Sequence, residues 1–311
     1  MISWSIPAGD PQFARLLAQV ERANDRLQVE VVIEASDAAQ DARARKRIKI
    51  NGLGRRAIDA VGQINAVLFS SQDIEVISGA PSLRRRYLDI VISQFNHRYL
   101  RALQRYGKVV EQRNHLLKLI CEGRADDGQL EFWDRELVEH GTYLTEQRGS
   151  TIDDLNRLAE TIHYDISSGE RLHIDYLPSY KNDFAMELSA LRGREIERGM
   201  SLLGPHRDDM GFLASDVDMG TFGSRGQQRT VALSLRLAEA RLLQDETGEQ
   251  PVMLLDDVLS ELDASRRHHL LSSVASYQQV LITTTDLDHF DPDFLSRSAL
   301  FHVSAGSIES A

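Results

Sequence analysis

The fold is decided by one stretch of the chain, Pro251-Val252-Met253-Leu254-Leu255-Asp256-Asp257-Val258-Leu259-Ser260-Glu261-Leu262-Asp263. It contains a short apolar strand that ends in two adjacent carboxylates, and a Ser-x-Leu-Asp turn comes next. The carboxyl end of a buried parallel strand lies at the ligand crevice of an α/β sheet. There Asp256 could hold Mg²⁺ and Asp257 could orient an attacking water. Taken alone, the stretch also fits an apolar strand followed by an acidic turn, because short motifs match by chance.

A second motif lies upstream, Phe222-Gly223-Ser224-Arg225-Gly226-Gln227-Gln228-Arg229. An amphipathic stretch at residues 231–240 comes after it and predicts a helix. A glycine-rich turn that leads into a helix exposes backbone N–H groups, and a helix N-terminus attracts phosphate. A lone Gly-Ser-x-Gly is usually an ordinary loop. The order of the features is more specific, because a loop, a helix, an apolar strand, paired carboxylates and a second turn succeed one another.

This order resembles the ATPases of the ABC class. In that class the first loop is the signature loop, which touches the γ-phosphate of a nucleotide held by the partner subunit. The apolar strand is the Walker B strand, and the turn after it is the D-loop. The resemblance gives Asp256 the role of Mg²⁺ ligand and Asp257 the water-activating role. It implies nucleotide contacts for residues of the two loops, namely Ser224, Arg225, Gly226, Gln227, Ser260 and Asp263.

Two further segments narrow the resemblance to one family. Residues 203–209 read Leu-Gly-Pro-His-Arg-Asp-Asp, and residues 79–89 read Gly-Ala-Pro-Ser-Leu-Arg-Arg-Arg-Tyr-Leu-Asp. With the two motifs above, they resemble the RecF family of bacterial recombination and repair proteins. The resemblance implies an α/β fold, an ABC/SMC-type P-loop ATPase head that is discontinuous in sequence and carries an inserted, mostly helical lobe. We expect residues 1–80 and 201–311 to form the head and residues 81–200 to form the helical arm.

The family resemblance also implies a function. Two RecF-like subunits would sandwich ATP and Mg²⁺, so that ATP controls dimerisation and the grip on DNA. The expected DNA is single-stranded, gapped or a junction between single and double strands. The expected protein partners are RecO and RecR, and indirectly RecA, which they load onto single strands. The processes implied are DNA replication, recombination, repair of DNA damage and the SOS response.

One part of the family pattern is absent from the 311 residues. ATP binding requires a P-loop, G-x-x-x-x-G-K-S/T, whose amides and lysine cradle the phosphates. The sole Gly-Lys pair, Gly107-Lys108, is followed by Val109 in a helical pattern. Residues 11–35 resemble the segment after the P-loop helix in the family, so we expect the chain to be incomplete at its N-terminus and not to bind or hydrolyse ATP as written. Its activity as an enzyme therefore stays open. The alternatives are a nucleotide-independent module that binds DNA or a mediator, and a non-functional fragment.

Composition sets further bounds. The chain has 42% hydrophobic and 27% charged residues, which is ordinary for a globular protein. A single cysteine, Cys121, excludes an internal disulfide and fits a reducing compartment. No stretch approaches the roughly eighteen apolar residues of a membrane span, and the N-terminus lacks the pattern of a secretion signal. We expect a cytoplasmic protein without a membrane partner.

The net charge of −11 argues against a generic nucleic-acid binder, but DNA responds to local fields. One basic cluster comprises Arg43, Arg45, Lys46, Arg47, Lys49, Arg55 and Arg56, for which a solvated face and a DNA contact fit equally well. A second lies on predicted helix and comprises Arg84, Arg85, Arg86, Arg98, Arg101, Arg105, Lys108 and Arg113. In it we predict that DNA contacts Arg98, Arg101 and Arg105. Arg84 and Arg85 are the second choice, because they could instead brace the lobe against the head.

Hydrophobic periodicity predicts the order of secondary structure. The first part has a helix at 11–24 and strands at 28–33, 47–50 and 66–69. The middle part has a long helical region from Pro81, helices at 129–147, 150–167 and 186–198, and a strand at 172–177. The last part has strands at 210–213, 218–221, 252–256, 279–284 and near 299–303, with helices at 227–246 and 264–275.

Overall fold

The computed structural model describes residues 13–22, 25–34 and 45–310. Its strands are β1 Phe13–Glu21, β2 Arg26–Glu34, β3 Arg45–Ile50, β4 Leu53–Arg55, β5 Ala66–Ser70, β6 Leu172–Leu177, β7 Asp209–Ala214, β8 Val217–Asp218, β9 Val252–Asp256, β10 Val280–Thr283, β11 Phe301–Ser304 and β12 Ser307–Ser310. Its helices are α1 Ala57–Ala60, α2 Ile74–Ser78, α3 Pro81–Phe95, α4 His97–Cys121, α5 Leu130–Ile166, α6 Phe184–Arg198, α7 Arg225–Thr247, α8 Ala264–Val274 and α9 Pro292–Ser296.

The described strands form four sheets. The sheet that carries the paired carboxylates is parallel and has the order β10-β9-β5. The other three are antiparallel: β1-β2-β3-β4, β6-β7-β8 and the hairpin β11-β12. Because parallel strands run in one direction, the carboxyl ends of β5, β9 and β10 meet at a single edge of the sheet.

Helix α7 lies between two hydrophobic cores and contributes residues to both. Two groups of its apolar residues point in different directions, one towards each core. Leu233 and Leu237 pack under the parallel sheet with Phe69 and Leu255. The opposite side of α7 packs against α3, α5 and the β6-β7 strands. Each fully buried leucine of the helix contributes about 1.5–3 kcal/mol.

Helix α5 runs through both the helical lobe and the region around α7. Leu137 and Leu144, in its first half, pack in a core formed with α4 and α6. Ile152 and Leu155, in its second half, pack in the core shared with α7. The division into a head and an arm at residues 81 and 200 therefore stays a prediction, since one continuous helix belongs to both cores. In the described part of the chain, no helix is long and apolar enough to cross a lipid bilayer.

The predicted helix at 11–24 is wrong, because Phe13–Glu21 is a strand. It pairs with β2 in antiparallel register from Phe13↔Glu34 to Glu21↔Arg26. The hairpin closes where the N–H of Arg22 donates to the carbonyl of Asp25 at 2.9 Å. Pairing with a neighbouring strand, rather than the local pattern that predicted a helix, decided the conformation of this segment.

Two other boundaries differ from the prediction. The strand expected at 218–221 ends at Asp218, because the Asp218 carboxylate accepts from the N–H groups of Gly220 and Thr221 and forms a turn. The helices expected at 129–147 and 150–167 are one helix, α5, which continues through Gly149. The other predicted strands and helices are present within a few residues of their expected bounds, and the short elements β4, α1, α2, α9 and β12 were not predicted.

Candidate nucleotide site

Three strand ends lie side by side at the edge of the parallel sheet. Asp256 is the last residue of β9, and the pairing register sets it between Ser70 of β5 and Thr283 of β10. The Thr283 hydroxyl donates to Asp256 Oδ1 at 2.7 Å, which orients the carboxylate. The Asp256 side chain is exposed. The sequence offers three consecutive threonines at the end of the neighbouring strand, Thr283, Thr284 and Thr285, without deciding among them, and the structure sets the hydroxyl of Thr283 against Asp256.

Asp257 turns the chain away from the sheet. Its φ of 48° lies in the left-handed region, which Asp tolerates better than most residues. Its N–H donates to the Thr283 carbonyl at 3.3 Å and lies 3.1 Å from the Thr283 hydroxyl. The Ser260 hydroxyl donates to the Asp257 carbonyl at 3.0 Å and closes the turn. The structure therefore brings Asp256, Asp257 and Ser260 together, with both carboxylates open to solvent.

The signature loop ends in a capped helix. Ser224 is the N-cap of α7: its hydroxyl accepts from the N–H of Gln227 at 3.3 Å, while Gln227 Oε1 accepts from the N–H of Ser224 at 3.1 Å. This reciprocal capping box satisfies two backbone donors. Gly223 packs against Met219, where an added Cβ would lie 2.7 Å from the Met219 carbonyl oxygen, so a side chain does not fit. Arg225 and Gly226 remain exposed at the positive end of the helix.

The D-loop leads into helix α8. Residues Leu259–Glu261 form a single 3₁₀ turn, and Asp263 is the N-cap of α8, accepting from the N–H of Arg266 at 2.9 Å. That backbone hydrogen bond lowers the pKa of Asp263, and the nearby Arg266 guanidinium lowers it further. Asp263 is therefore a stable anion whose hydrogen bonds are directed to its own helix.

The donor set at the sheet edge suits Mg²⁺. It offers the Asp256 carboxylate and neighbouring hydroxyl oxygens, and Mg²⁺ in phosphate-transfer sites usually takes one or two carboxylates together with phosphate oxygens and water. Among the described residues, no group of three or more His, Cys, Asp or Glu side chains could hold a metal. A magnesium ion at Asp256 would thus share its coordination with nucleotide phosphates.

A different pair of carboxylates, Asp208 and Asp209, lies where the lobe joins β7, of which Asp209 is the first residue. Asp208 is buried and accepts from the Tyr176 hydroxyl and, at 2.7 Å, from the N–H of Ser179. Asp209 receives two hydrogen bonds from Arg84, at 2.6 and 2.8 Å. Arg85 donates to the Asp208 carbonyl at 2.8 Å. Arg84 and Arg85 therefore hold α3 to this junction, the bracing role that the sequence left open for them.

Arg148 of α5 completes this junction. It is buried and donates to the Pro205 carbonyl at 2.6 Å, to Asp89 at 2.8 Å and to the Tyr99 hydroxyl at 2.9 Å, and it lies 3.6 Å from Asp208. Burial raises the pKa of Tyr99 well above its ordinary value, so its hydroxyl stays protonated and donates to Asp89. The buried charges are thus paired and hydrogen-bonded, as buried charges must be.

The three arginines predicted to contact DNA are exposed on α4. Their spacing of three and four residues puts Arg98, Arg101 and Arg105 on one face of the helix. Arg98 lies over the Tyr143 ring, 4.4 Å from its centroid, and Arg105 pairs with Glu136 at 2.7 Å. Arg113, from the same basic cluster, is fully buried between Asp134, Glu195 and Ser201 and does not belong to the surface.

The first basic cluster is partly neutralised. Arg47 pairs with Glu34, Lys49 pairs with Glu30 at 3.3 Å, and Arg56 pairs with Asp59 at 3.1 Å. Arg43 lies outside the described residues. This cluster therefore resembles a balanced strand surface more than a concentrated positive patch.

No protein-family model matches the chain. The DNA replication and repair protein RecF of Herpetosiphon aurantiacus is 45% identical over 317 residues, which cover 97% of this chain and 82% of that protein. The chain belongs to the RecF family. The RecF protein of Chloroflexus aurantiacus is 42% identical over 321 residues, with the same shares of the two chains covered.

Two solved structures of RecF share the fold. The structure of the recombination mediator protein RecF-ATP in the RecFOR pathway matches with a TM-score of 0.86 at 29% identity, over 98% of this chain and 82% of that one. The RecF-ATPrS structure matches with a TM-score of 0.83 at 29% identity, over 97% of this chain and 81% of that one. The predicted fold class, an α/β ATPase head of the ABC/SMC type with an inserted helical lobe, is confirmed.

Proposed function

We propose that the chain is a RecF-type recombination mediator that acts on DNA in replication and repair, in the cytoplasm, under the control of ATP and Mg²⁺. The observation that carries this proposal is the exposed Asp256-Asp257 pair at the edge of the parallel sheet, where the Thr283 hydroxyl orients the Asp256 carboxylate and contacts the Asp257 backbone N–H. It occurs in a fold shared with RecF-ATP. An exposed and oriented carboxylate pair at this edge is suited to a ligand, because the carboxyl ends of parallel strands form the crevice.

Each residue of the site has a proposed role. Asp256 would hold Mg²⁺, which would neutralise phosphate charge, and Asp257 would orient the attacking water and accept its proton. Asp is shorter than the Glu that most ABC proteins have there, which favours slow turnover. The exposed amides of Arg225 and Gly226, which lie inside the Ser224–Gln227 capping box and take no part in it, contact the γ-phosphate of a nucleotide held by the partner subunit. Ser260 and Asp263 shape the D-loop that meets the same partner, so that the ATP-bound form is a homodimer.

The DNA surface is the exposed face of α4 that carries Arg98, Arg101 and Arg105. We propose that it contacts the phosphates of single-stranded, gapped or junction DNA. RecO and RecR are the proposed protein partners, through which RecA is loaded during recombination and in the SOS response. The arginines support this proposal because they lie on one helix face of a chain whose net charge is −11.

The first test separates nucleotide binding from DNA binding. The 311 residues contain no P-loop motif, so the chain alone should not bind labelled ATP at micromolar concentration, whereas it should bind gapped DNA at low salt. Fluorescence anisotropy with labelled ATP and with gapped, single-stranded and duplex DNA measures both. Absence of DNA binding would contradict the proposed DNA role. The alternative of a nucleotide-independent DNA-binding module predicts the same result for this chain, and the second test separates the two because only the proposed function predicts ATP-driven dimerisation. Micromolar ATP binding with hydrolysis would mean that a different phosphate site exists.

The second test addresses the composite site. The chain is joined to the P-loop segment of the Herpetosiphon aurantiacus RecF, and sedimentation is measured with and without ATP. Ser224→Arg should abolish ATP-driven dimerisation while ATP binding stays within about twofold, because the bulky side chain obstructs the partner's nucleotide. Arg241→Gln, at an exposed position on the same helix, is the matched control. Unchanged dimerisation of Ser224→Arg would remove the signature loop from the interface.

A further inference from the structure

Arg229 connects the signature loop and the D-loop, the two loops of this chain that face the partner subunit in the proposed function. It lies on α7, shortly after the Ser224 N-cap, and its guanidinium reaches across to the D-loop. Arg229 Nη2 pairs with Glu261 Oε2 at 3.0 Å, and Nη1 lies 3.5 Å from the Glu261 carbonyl oxygen. The two loops are separated in sequence by the whole of α7 and β9, and this side-chain contact joins them directly.

Two more arginines hold the next two residues of the D-loop. Arg267 donates to the Leu262 carbonyl at 3.0 Å, and Arg266 pairs with the Asp263 carboxylate. Both belong to α8, immediately after the loop, so they stabilise the loop from its own side. Arg229 differs from them because it belongs to the helix that begins at the signature loop.

Arginine suits this position for a physical reason. Its planar guanidinium can contact a carboxylate and a carbonyl oxygen of one residue simultaneously, and that geometry fixes orientation as well as distance. The side chains of Arg229 and Glu261 are 37% and 29% exposed, so the pair is partly shielded from solvent. A single turn such as Leu259–Glu261 has little rigidity of its own, and its position depends on such contacts.

We propose that Arg229 is a positioning residue that makes the signature loop and the D-loop one rigid unit. The inference rests on the proposed function for its purpose, because both loops are assigned to the face that meets the partner subunit. The loops then approach a partner with their relative position already set. A displacement of one loop is transmitted to the other through Arg229 and Glu261.

Hydrogen-deuterium exchange on the 311-residue chain without nucleotide tests the proposal, and its result does not depend on ATP binding or dimerisation. Arg229→Gln and, from the other side of the pair, Glu261→Gln should each speed amide exchange in residues 259–263 by about twofold to fivefold. The double variant Arg229→Glu/Glu261→Arg should restore slow exchange. Arg241→Gln removes a paired arginine from the same helix and is the matched control, which should leave these amides unchanged.

A coupling measurement distinguishes transmission from simple local support. Ser224→Ala removes the N-cap of the signature loop and should speed exchange in the D-loop of the otherwise unchanged chain. In the Arg229→Gln background, the same Ser224→Ala change should have no further effect on residues 259–263. An equal effect of Ser224→Ala in both backgrounds, or none in either, would overturn the proposal while leaving the proposed function intact.

Discussion

Two of the four Asp-Asp dipeptides in the chain have opposite surroundings. Asp208 and Asp209 lie at the junction of the lobe with β7, where tyrosine, arginine and backbone donors occupy their oxygens. Asp256 and Asp257 lie at the end of β9, where both carboxylates are exposed. The difference shows that the partners of an acidic pair, rather than the pair itself, decide whether it serves stability or a ligand.

The largest effect is expected at the centre of the junction. Arg148→Met should lower the free energy of unfolding by about 3–5 kcal/mol, because it leaves buried Asp208 and the partly buried Asp89 without a counter-charge. Urea unfolding measures the change. Arg157→Met, on the same helix, removes an exposed pair with Asp154 and should cost less than about 1 kcal/mol. Similar losses in the two variants would contradict the assignment of the junction as a structural brace.

Substitutions of the exposed carboxylates, Asp256 and Asp257, should instead change ATP binding and turnover. In the chain joined to the Herpetosiphon aurantiacus P-loop segment, Asp257→Asn should keep ATP binding and lower hydrolysis by about a hundredfold, the range for loss of a positioned acid-base group. Asp256→Asn should instead weaken Mg²⁺-dependent ATP binding. Phosphate release and ATP titration at several Mg²⁺ concentrations separate the two effects. If the two variants behave alike, their separate roles are wrong.

The junction should also be sensitive to acid. Burial lowers the pKa of His206 to about 4, and the nearby Arg207 and Arg85 charges act in the same direction. Since the unfolded chain takes up this proton near pH 6.5 and the folded chain does not, the stability held by neutral His206 is present above pH 6.5 and is lost as the pH falls towards 4. Between pH 7 and 5 the loss should be about 2 kcal/mol. His206→Asn should reduce that pH dependence in urea unfolding; an unchanged dependence would assign it to other groups.

Local and distant partners differ in how far the sequence can predict them. The apolar run before Asp256 and the loop before α7 identified the fold and indicated the candidate site, because strand ends and helix starts have local signals. The role of Arg84 and Arg85 was not decided locally, since it depends on Asp208 and Asp209, which lie more than a hundred residues away. Arg113 was grouped with a basic surface for the same reason, although it is buried and pairs with Asp134 and Glu195. The strand at Phe13–Glu21 likewise depends on its partner strand.

The exposed arginines of α4 should differ from other exposed arginines of the lobe in their contribution to DNA binding. Reversing Arg98, Arg101 and Arg105 to Glu should lower the slope of log affinity against log salt by up to about three units on duplex DNA, close to one unit for each phosphate that the protein no longer neutralises. Binding to gapped DNA across a salt series should weaken in parallel. Reversing Arg135, Arg194 and Arg198, which lie elsewhere on the lobe, makes the same change of net charge and is the control. Equal slopes for both triple variants would return the α4 arginines to an ordinary solvated face.

The smallest effect is expected on the free energy of unfolding when the exposed pair is changed. Asp256→Asn keeps the size of the side chain and an oxygen that can accept from the Thr283 hydroxyl. Because the carboxylate is exposed, its removal should change the free energy of unfolding by less than about 0.5 kcal/mol. Asp208→Asn is the matched substitution at the junction, and it should cost more than about 1 kcal/mol because a buried oxygen that accepts from Tyr176 or Ser179 is replaced by a donor. Urea unfolding of the two variants at pH 7 compares the sites directly. A large loss for Asp256→Asn would mean that the sheet edge depends on its carboxylate for stability, and the distinction between the two acidic pairs would then fail.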